Sequence, residues 1–94
     1  MDVIQSIRHK GLKRLYDTDD ARGVRADHAQ KLRDVLARLD AAETIDDMDL
    51  PDFHLHPLKS DRCGYWAVTV RANWRVVFRL ESGTVLDVDY VDYH

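Results

Sequence analysis

The chain has 94 residues, a net charge of −3 and a single cysteine. A chain of this length makes one domain, residues 1–94, and can bury roughly two-thirds of its unfolded surface without staples. Cys63 alone excludes an intramolecular disulfide and a thiolate metal site, and no apolar run approaches the roughly 18 residues of a membrane span. The opening MDVIQSIRHKGLK has no apolar core of the kind a secretion signal needs. The expectation is a cytoplasmic protein.

The net charge hides an uneven distribution. Residues 1–39 carry three positive charges net, residues 40–52 hold six acids and no base, and residues 53–94 balance. The acid sits mostly in one connector, so the helical segment keeps a modest positive face able to meet phosphate.

In chain order, DVIQS (2–6) reads as an edge strand, with Val3 and Ile4 as its apolar members. From His9 to Tyr16, Leu12, Leu15 and Tyr16 fall at helical spacing. Gly11 weakens that helix by up to about 1 kcal/mol relative to alanine and predicts a short element. Asp17–Asp20 end it, and Arg22-Gly23 supplies a turn. A second helix is predicted over 26–42, capped by Asp27 with Gln30 three residues on. Ala29, Leu32, Val35, Leu36 and Leu39 form its apolar stripe, and Lys31, Arg33, Asp34 and Arg38 its wet side. The segment ETIDDMDLPDF then reads as a structured connector anchored by Ile45, Met48 and Leu50.

Four extended runs follow: FHLHPL (53–58), GYWAVTV (64–70), NWRVVFRL (73–80) and TVLDVDYV (84–91). Alternation in the third puts Trp74, Val76, Phe78 and Leu80 on a core face, and Asn73, Arg75, Val77 and Arg79 on the other. Residues 59–64, Arg71-Ala72 and Glu81-Ser82-Gly83 suit tight connections. The expected fold class is α+β: two N-terminal helices packed on a small, largely antiparallel sheet of four to five strands.

The chemically capable side chains concentrate around this sheet. Read together, RHKGLKRLY (8–16), LARLDAA (36–42), LHPLK (55–59), GYWAVTV-RANWRVVF (64–78) and VDYVDYH (88–94) resemble the HigB-type toxins of the RelE/ParE superfamily. The resemblance spans almost the whole chain in the family's order, and the combination of LHPLK, NWR and a terminal DYH is its specific part. It implies a RelE-like fold and the toxin of a type II toxin-antitoxin system, a ribosome-dependent endoribonuclease that cuts mRNA within A-site codons. The partners it implies are a helix-turn-helix antitoxin of HigA type, the ribosome and mRNA. Operator DNA would be met only through the antitoxin, and no cofactor or membrane is involved.

Carried onto this chain, the family's active-site positions fall on His56, Lys59, Asn73, Arg75, Asp92, Tyr93 and His94. One departure is Ser60, where the family commonly has glycine after the lysine. Metal-independent RNA cleavage has the 2′-OH attack its own phosphate, which calls for a base, an acid and cations for the charge on the phosphoryl oxygens. The assignment gives His56 and His94 the proton transfers, in an unassigned order. Arg75 and Lys59 stabilise charge, Tyr93 orients or stacks a base, and Asn73 and Asp92 orient.

Each residue also has a plainer reading. A C-terminal histidine is a solvated chain end, His56 is a strand histidine with its bonds satisfied, and arginines on a wet strand face are solvating charges or edge protection. Arg79, outside the family motif, is assigned to that plainer reading. His9, His28 and His54 have no second ligand at metal spacing, and Cys63 has no base beside it, so neither a metal site nor a cysteine nucleophile is expected. The competing functional readings are a non-catalytic toxin that occupies a partner such as gyrase, and a co-repressor acting with its antitoxin.

Overall fold

The computed structural model describes residues 4–58 and 64–93. Expectations at 2–3, the connection at 59–63 including Lys59 and Cys63, and the terminal His94 lie outside the described residues. Helix α1 (Lys10–Thr18) and helix α2 (Ala29–Ala41) pack on one face of an antiparallel sheet. Its strands β1 (His56–Pro57), β2 (Tyr65–Arg71), β3 (Trp74–Glu81) and β4 (Thr84–Asp92) are neighbours in that order. The α+β expectation holds, with four strands.

Helix α1 begins where His9 Nδ1 accepts the Leu12 N–H at 3.1 Å, and it buries Leu12 and Leu15. It ends at Asp19, whose left-handed conformation (φ 57°) lets its N–H reach the Leu15 carbonyl. Gly11 has a packing reason. A Cβ there would lie 2.0 Å from the carbonyl oxygen of Gly23, so the helix meets the 3-10 turn Ala21–Gly23 backbone to backbone.

The second helix departs from expectation at its start. A 3-10 turn, Ala26–His28, precedes α2, and Asp27 makes no cap. Its carboxylate instead lies between Arg25 (3.5 Å) and Arg71 at the end of β2 (3.4 Å). The His28 ring turns inward, with Nδ1 2.6 Å from the Tyr90 hydroxyl, and this ties the 3-10 turn to β4. The predicted stripe Ala29, Leu32, Val35, Leu36 and Leu39 is buried as expected. In the connector, Asp47 accepts the N–H groups of Glu43 (2.8 Å) and Thr44 (3.2 Å), which holds its carboxyl below the usual range. Met48 is fully buried there.

Three strand expectations change. FHLHPL forms only the two-residue β1, because the turn through Phe53 and the left-handed His54 (φ 49°) delay the ladder until His56. Pro57, with no N–H to donate, sits on this edge strand. The predicted N-terminal edge strand becomes two single parallel bridges to β4, Ile4 to Val85 and Ile7 to Val88. Between them β4 bulges, with Asp87 at φ 55° and its N–H taken by Ser6 Oγ at 2.8 Å, so a regular ladder cannot continue. The β2–β3 hairpin turns at Ala72 and Asn73, one residue later than Arg71-Ala72, with Arg71 opposite Trp74.

The bulge sets which β4 residues reach the core. Pairing runs from Trp74 opposite Asp92 to Val77 opposite Asp89, then resumes at Arg79 opposite Leu86. The extra residue returns Val85 to the helix-facing side with Val88 and Tyr90, and all three are buried. Together with Val68, Val70, Val76 and Phe78 they form one core with the helices. Full burial of a side chain such as Phe78 contributes about 1.5–3 kcal/mol.

Candidate active site

The sheet face away from the helices carries most of the described candidate side chains. In an antiparallel pair, directly opposed residues share a face. Thr69 opposite Arg75 opposite Val91 makes one row, His56 opposite Ala67 opposite Val77 opposite Asp89 the next, and Tyr65 opposite Arg79 a third. At the β2–β3 hairpin end, the Tyr93 N–H donates to the Asn73 carbonyl at 2.8 Å, which extends the face by one more row. The structure therefore brings His56, Asn73, Arg75 and Tyr93 onto one surface. His56 and Arg75 lie two strands and one row apart, roughly 12 Å between Cα atoms from standard sheet spacings. Long side chains from those positions can converge on one phosphate.

The centre of this face is not wet. Ala67 and Val77 are 0% and 1% exposed although the register places them on the side away from the helices, so the middle of this face is an apolar floor. Placing Val77 on this face was right, but solvent exposure does not follow from it.

Two candidate side chains are held by carbonyl groups of left-handed residues. His56 Nδ1 lies 2.9 Å from the carbonyl oxygen of His54 (φ 49°). A carbonyl only accepts, so Nδ1 carries the hydrogen, and the neutral ring is left with its lone pair on Nε2, the form a general base requires. Arg75 Nη1 donates to the carbonyl oxygens of Ala72 (φ 52°) at 2.6 Å and Trp74 at 3.1 Å. Both bonds use Nη1, so the Nε and Nη2 edge is not committed to them and can take a phosphate in a fork. Left-handed conformations of non-glycine residues cost of order 1–3 kcal/mol and collect at functional sites. The sequence carries little sign of either, since histidine is only enriched, not usual, at positive φ and alanine does not announce it at all.

Tyr93 is 40% exposed, a large hydrophobic side chain left in solvent where it can stack. Asp92 goes the other way. It is paired with Trp74, whose side chain packs against the core, so the register assigns Asp92 to the helix-facing side of β4. The carboxylates that do share the polar face include Asp89, Asp87 and Glu81. At the edge strand, the Leu58 N–H donates to the Tyr65 carbonyl at 2.9 Å; Lys59 and His94 lie outside the described residues.

The opposite side of the sheet carries an aromatic group of different character. Trp74 and Tyr90 rings lie 4.6 Å apart, His28 meets both edge-on, and the Arg25 guanidinium sits 5.9 Å from the Trp74 ring centre. Burial pushes the His28 pKa down and the Tyr90 pKa up. Among the described residues no three His, Cys, Asp or Glu side chains are grouped to hold a metal ion, and no helix is long and apolar enough to cross a membrane.

Residues 5–94 match the family model described as "RelE-like toxin of type II toxin-antitoxin system HigB". The chain is 42% identical over 92 residues to "Endoribonuclease HigB" of Proteus vulgaris, covering 98% of this chain and all of that one. Its fold is similar to the "YoeB/ParE toxin from Agrobacterium tumefaciens", with a TM-score of 0.62 at 23% identity, covering 100% of this chain and 99% of that one. It is also similar to the YoeB dimer from Staphylococcus aureus, with a TM-score of 0.59 at 15% identity, covering 98% and 93%. On the family match and the full-length identity, the chain belongs to the HigB-like family of RelE-like toxins of type II toxin-antitoxin systems.

Proposed function

We propose that this protein is an endoribonuclease that cuts mRNA within A-site codons of the translating ribosome, by attack of the 2′-OH on its own phosphate without a metal. The observation that supports this most directly is the sheet register. It sets His56 and Arg75 on one polar face, and Tyr93 and Asn73 at its hairpin end. His56, with its Nε2 lone pair outward, is suited to take the 2′-OH proton. That refines the earlier unassigned pairing and gives His94 the acid role at the leaving 5′-oxygen. Arg75 and Lys59 offset the charge that gathers on the phosphoryl oxygens, and Tyr93 stacks an unpaired base. Asn73 orients the strand. Asp92, on the helix-facing side, acts by holding the end of β4 rather than by touching RNA.

The named activity of the Proteus vulgaris relative supports an endoribonuclease, and the toxin-antitoxin family supports a cognate antitoxin as partner, which we take to be of helix-turn-helix type. The test is a cell-free translation reaction with a defined message, cuts mapped by primer extension, and parallel lanes lacking ribosomes or carrying His56→Ala, Arg75→Ala or His94→Ala. Cuts inside codons that need ribosomes and vanish in the variants are expected. An uncut message with translation still running sinks the endonuclease reading, and cuts without ribosomes sink the A-site part of it.

A further inference from the structure

The ion-pair group that takes the place of the expected Asp27 cap is not used by the cleavage chemistry. Asp27 Oδ1 lies 3.5 Å from Arg25 Nε, and Oδ2 accepts from Arg71 Nη1 at 3.4 Å, so one carboxylate stands between two guanidinium groups. Both contacts are long and all three side chains are open to solvent, a setting in which an ion pair contributes little. The Arg25 guanidinium also lies 5.9 Å from the Trp74 ring centre, and Arg71 is the β2 residue opposite Trp74. Among the described residues no other side chain engages either guanidinium. Each offers five N–H donors, and most of them are uncommitted.

The local charge decides what this group can take. Two guanidinium groups against one carboxylate leave an excess of positive charge, in contrast to Arg79, which meets both Asp87 and Glu81. Asp92, opposite Trp74, is a further acid at this hairpin end, and Arg75 a further arginine, so three arginines still face two carboxylates. The Asp27 carboxylate marks where an anion sits between Arg25 and Arg71, and its weak hold leaves it displaceable. A phosphate brings more acceptor oxygens and takes guanidinium forks in the same way. Trp74 lies between Asn73 and Arg75 in sequence, so the pair flanks the helix-facing side of the hairpin end whose other side carries Arg75 and Tyr93. RNA bound at Arg75 and running past the hairpin end meets them next.

Resting on the reading of this protein as an RNA-cleaving toxin, we propose that Arg25 and Arg71 form a clamp for an RNA phosphodiester away from the cleaved linkage, with Asp27 as the resident anion that the phosphate displaces. The phosphate belongs to the flanking message or to ribosomal RNA, which share this chemistry. The clamp contributes affinity that depends on salt and not on base sequence, and it touches no reacting atom.

The test uses the full chain and two probes, each titrated across a salt series: a single-stranded RNA oligonucleotide with 2′-O-methyl riboses, which cannot be cut, and vacant ribosomes carrying no message. Arg75 accounts for part of the wild-type salt dependence, so only differences between variants are diagnostic. Arg25→Ala and Arg71→Ala should each weaken binding about 3- to 10-fold and flatten the slope of log affinity against log salt by about 0.7. Arg71→Lys, which keeps the charge, should keep the slope. Asp27→Asn should instead tighten binding about 2- to 5-fold, because the competing negative charge is gone. The signs separate the clamp from a purely structural role. If the ion pairs only tied the 3-10 turn to β2, Asp27→Asn and Arg71→Ala would break the same contact and act alike. Binding by Asp27→Asn no tighter than wild type, or unchanged slopes in both alanine variants on both probes, overturns the clamp. Effects confined to the oligonucleotide assign the phosphate to the message, and effects confined to ribosomes assign it to ribosomal RNA. Cleavage on programmed ribosomes, run alongside, should show Arg71→Ala with a raised KM and a kcat within about 3-fold of wild type. Uncut messages with the expected binding series keep the clamp and remove the nuclease; normal cutting with no change in binding removes the clamp alone.

Discussion

The carbonyl oxygen of His54 and the Nδ1 of His56 lie 2.9 Å apart, and the carbonyl can point there because His54 adopts a left-handed backbone at φ 49°. A strained residue two positions upstream thus decides which nitrogen of the candidate base faces substrate. Glycine occupies this conformation freely and keeps the carbonyl, whereas a β-branched residue resists it by about 1–2 kcal/mol. His54→Gly should retain cleavage and an Nδ1-protonated His56, while His54→Val should cut about 10-fold more slowly as the orientation loosens. Nitrogen NMR of the His56 ring together with single-turnover cleavage checks both. Full activity in His54→Val with an unpinned ring would remove the positioning role.

Much of this was legible in the sequence because it rests on periodicity. The α2 stripe, the alternation in β3 and the Ser82-Gly83 turn each follow from local chemistry, and the turn has positive φ at both residues (52° and 79°). The features that were missed depend on contacts distant in sequence. Asp27 looks like a helix cap until Arg71 draws its carboxylate toward the sheet. The bulge in β4 leaves a trace, since Val85, Val88 and Tyr90 are spaced three and then two apart, but the break gains meaning only once β3 supplies the register. That same register assigns Asp92 to the face opposite Arg75, which the motif DYH alone could not reveal.

The buried pair His28 and Tyr90 should make stability depend on pH. Burial lowers the His28 pKa below its ordinary 6.5, so the unfolded chain binds the proton more readily than the folded one. Its contribution is whole above about pH 6.5 and is lost as pH falls from there through the folded value. Urea unfolding at pH 7.5 and 5 should show that loss in wild type and a smaller one in His28→Gln. Tyr90→Phe should cost about 1–2 kcal/mol at pH 7.5 by leaving His28 Nδ1 without its hydroxyl. The slope should survive in that variant, because burial is the leading cause of the shift.

Gly11 tests packing against propensity. Alanine is the better helix former by about 1 kcal/mol, which alone predicts that Gly11→Ala stabilises α1. The new Cβ would lie 2.0 Å from the Gly23 carbonyl oxygen, a backbone atom with no rotamer by which to retreat. Overpacking of this kind costs about 1–3 kcal/mol, so the net outcome should be destabilising. A rise in melting temperature would show that the 3-10 turn Ala21–Gly23 yields without penalty.

Arg75 serves the hairpin and, in the proposed mechanism, the phosphate. Its Nη1 bonds to Ala72 and Trp74 fix the guanidinium at the mouth of the β2–β3 turn, while the Nε and Nη2 edge remains for the substrate. Lysine keeps the charge but presents one ammonium, which cannot hold the turn and fork a phosphate together. Arg75→Lys should therefore lose about 100-fold or more in cleavage, the scale of removing a donor to developing transition-state charge. Its stability should fall by only about 1 kcal/mol, because the lost bonds lie at an exposed hairpin. Single-turnover cleavage on programmed ribosomes beside urea unfolding separates the two roles. A variant that unfolds readily yet cleaves normally when folded would assign Arg75 to the hairpin alone, and near-native stability with little cleavage would assign it to the phosphate.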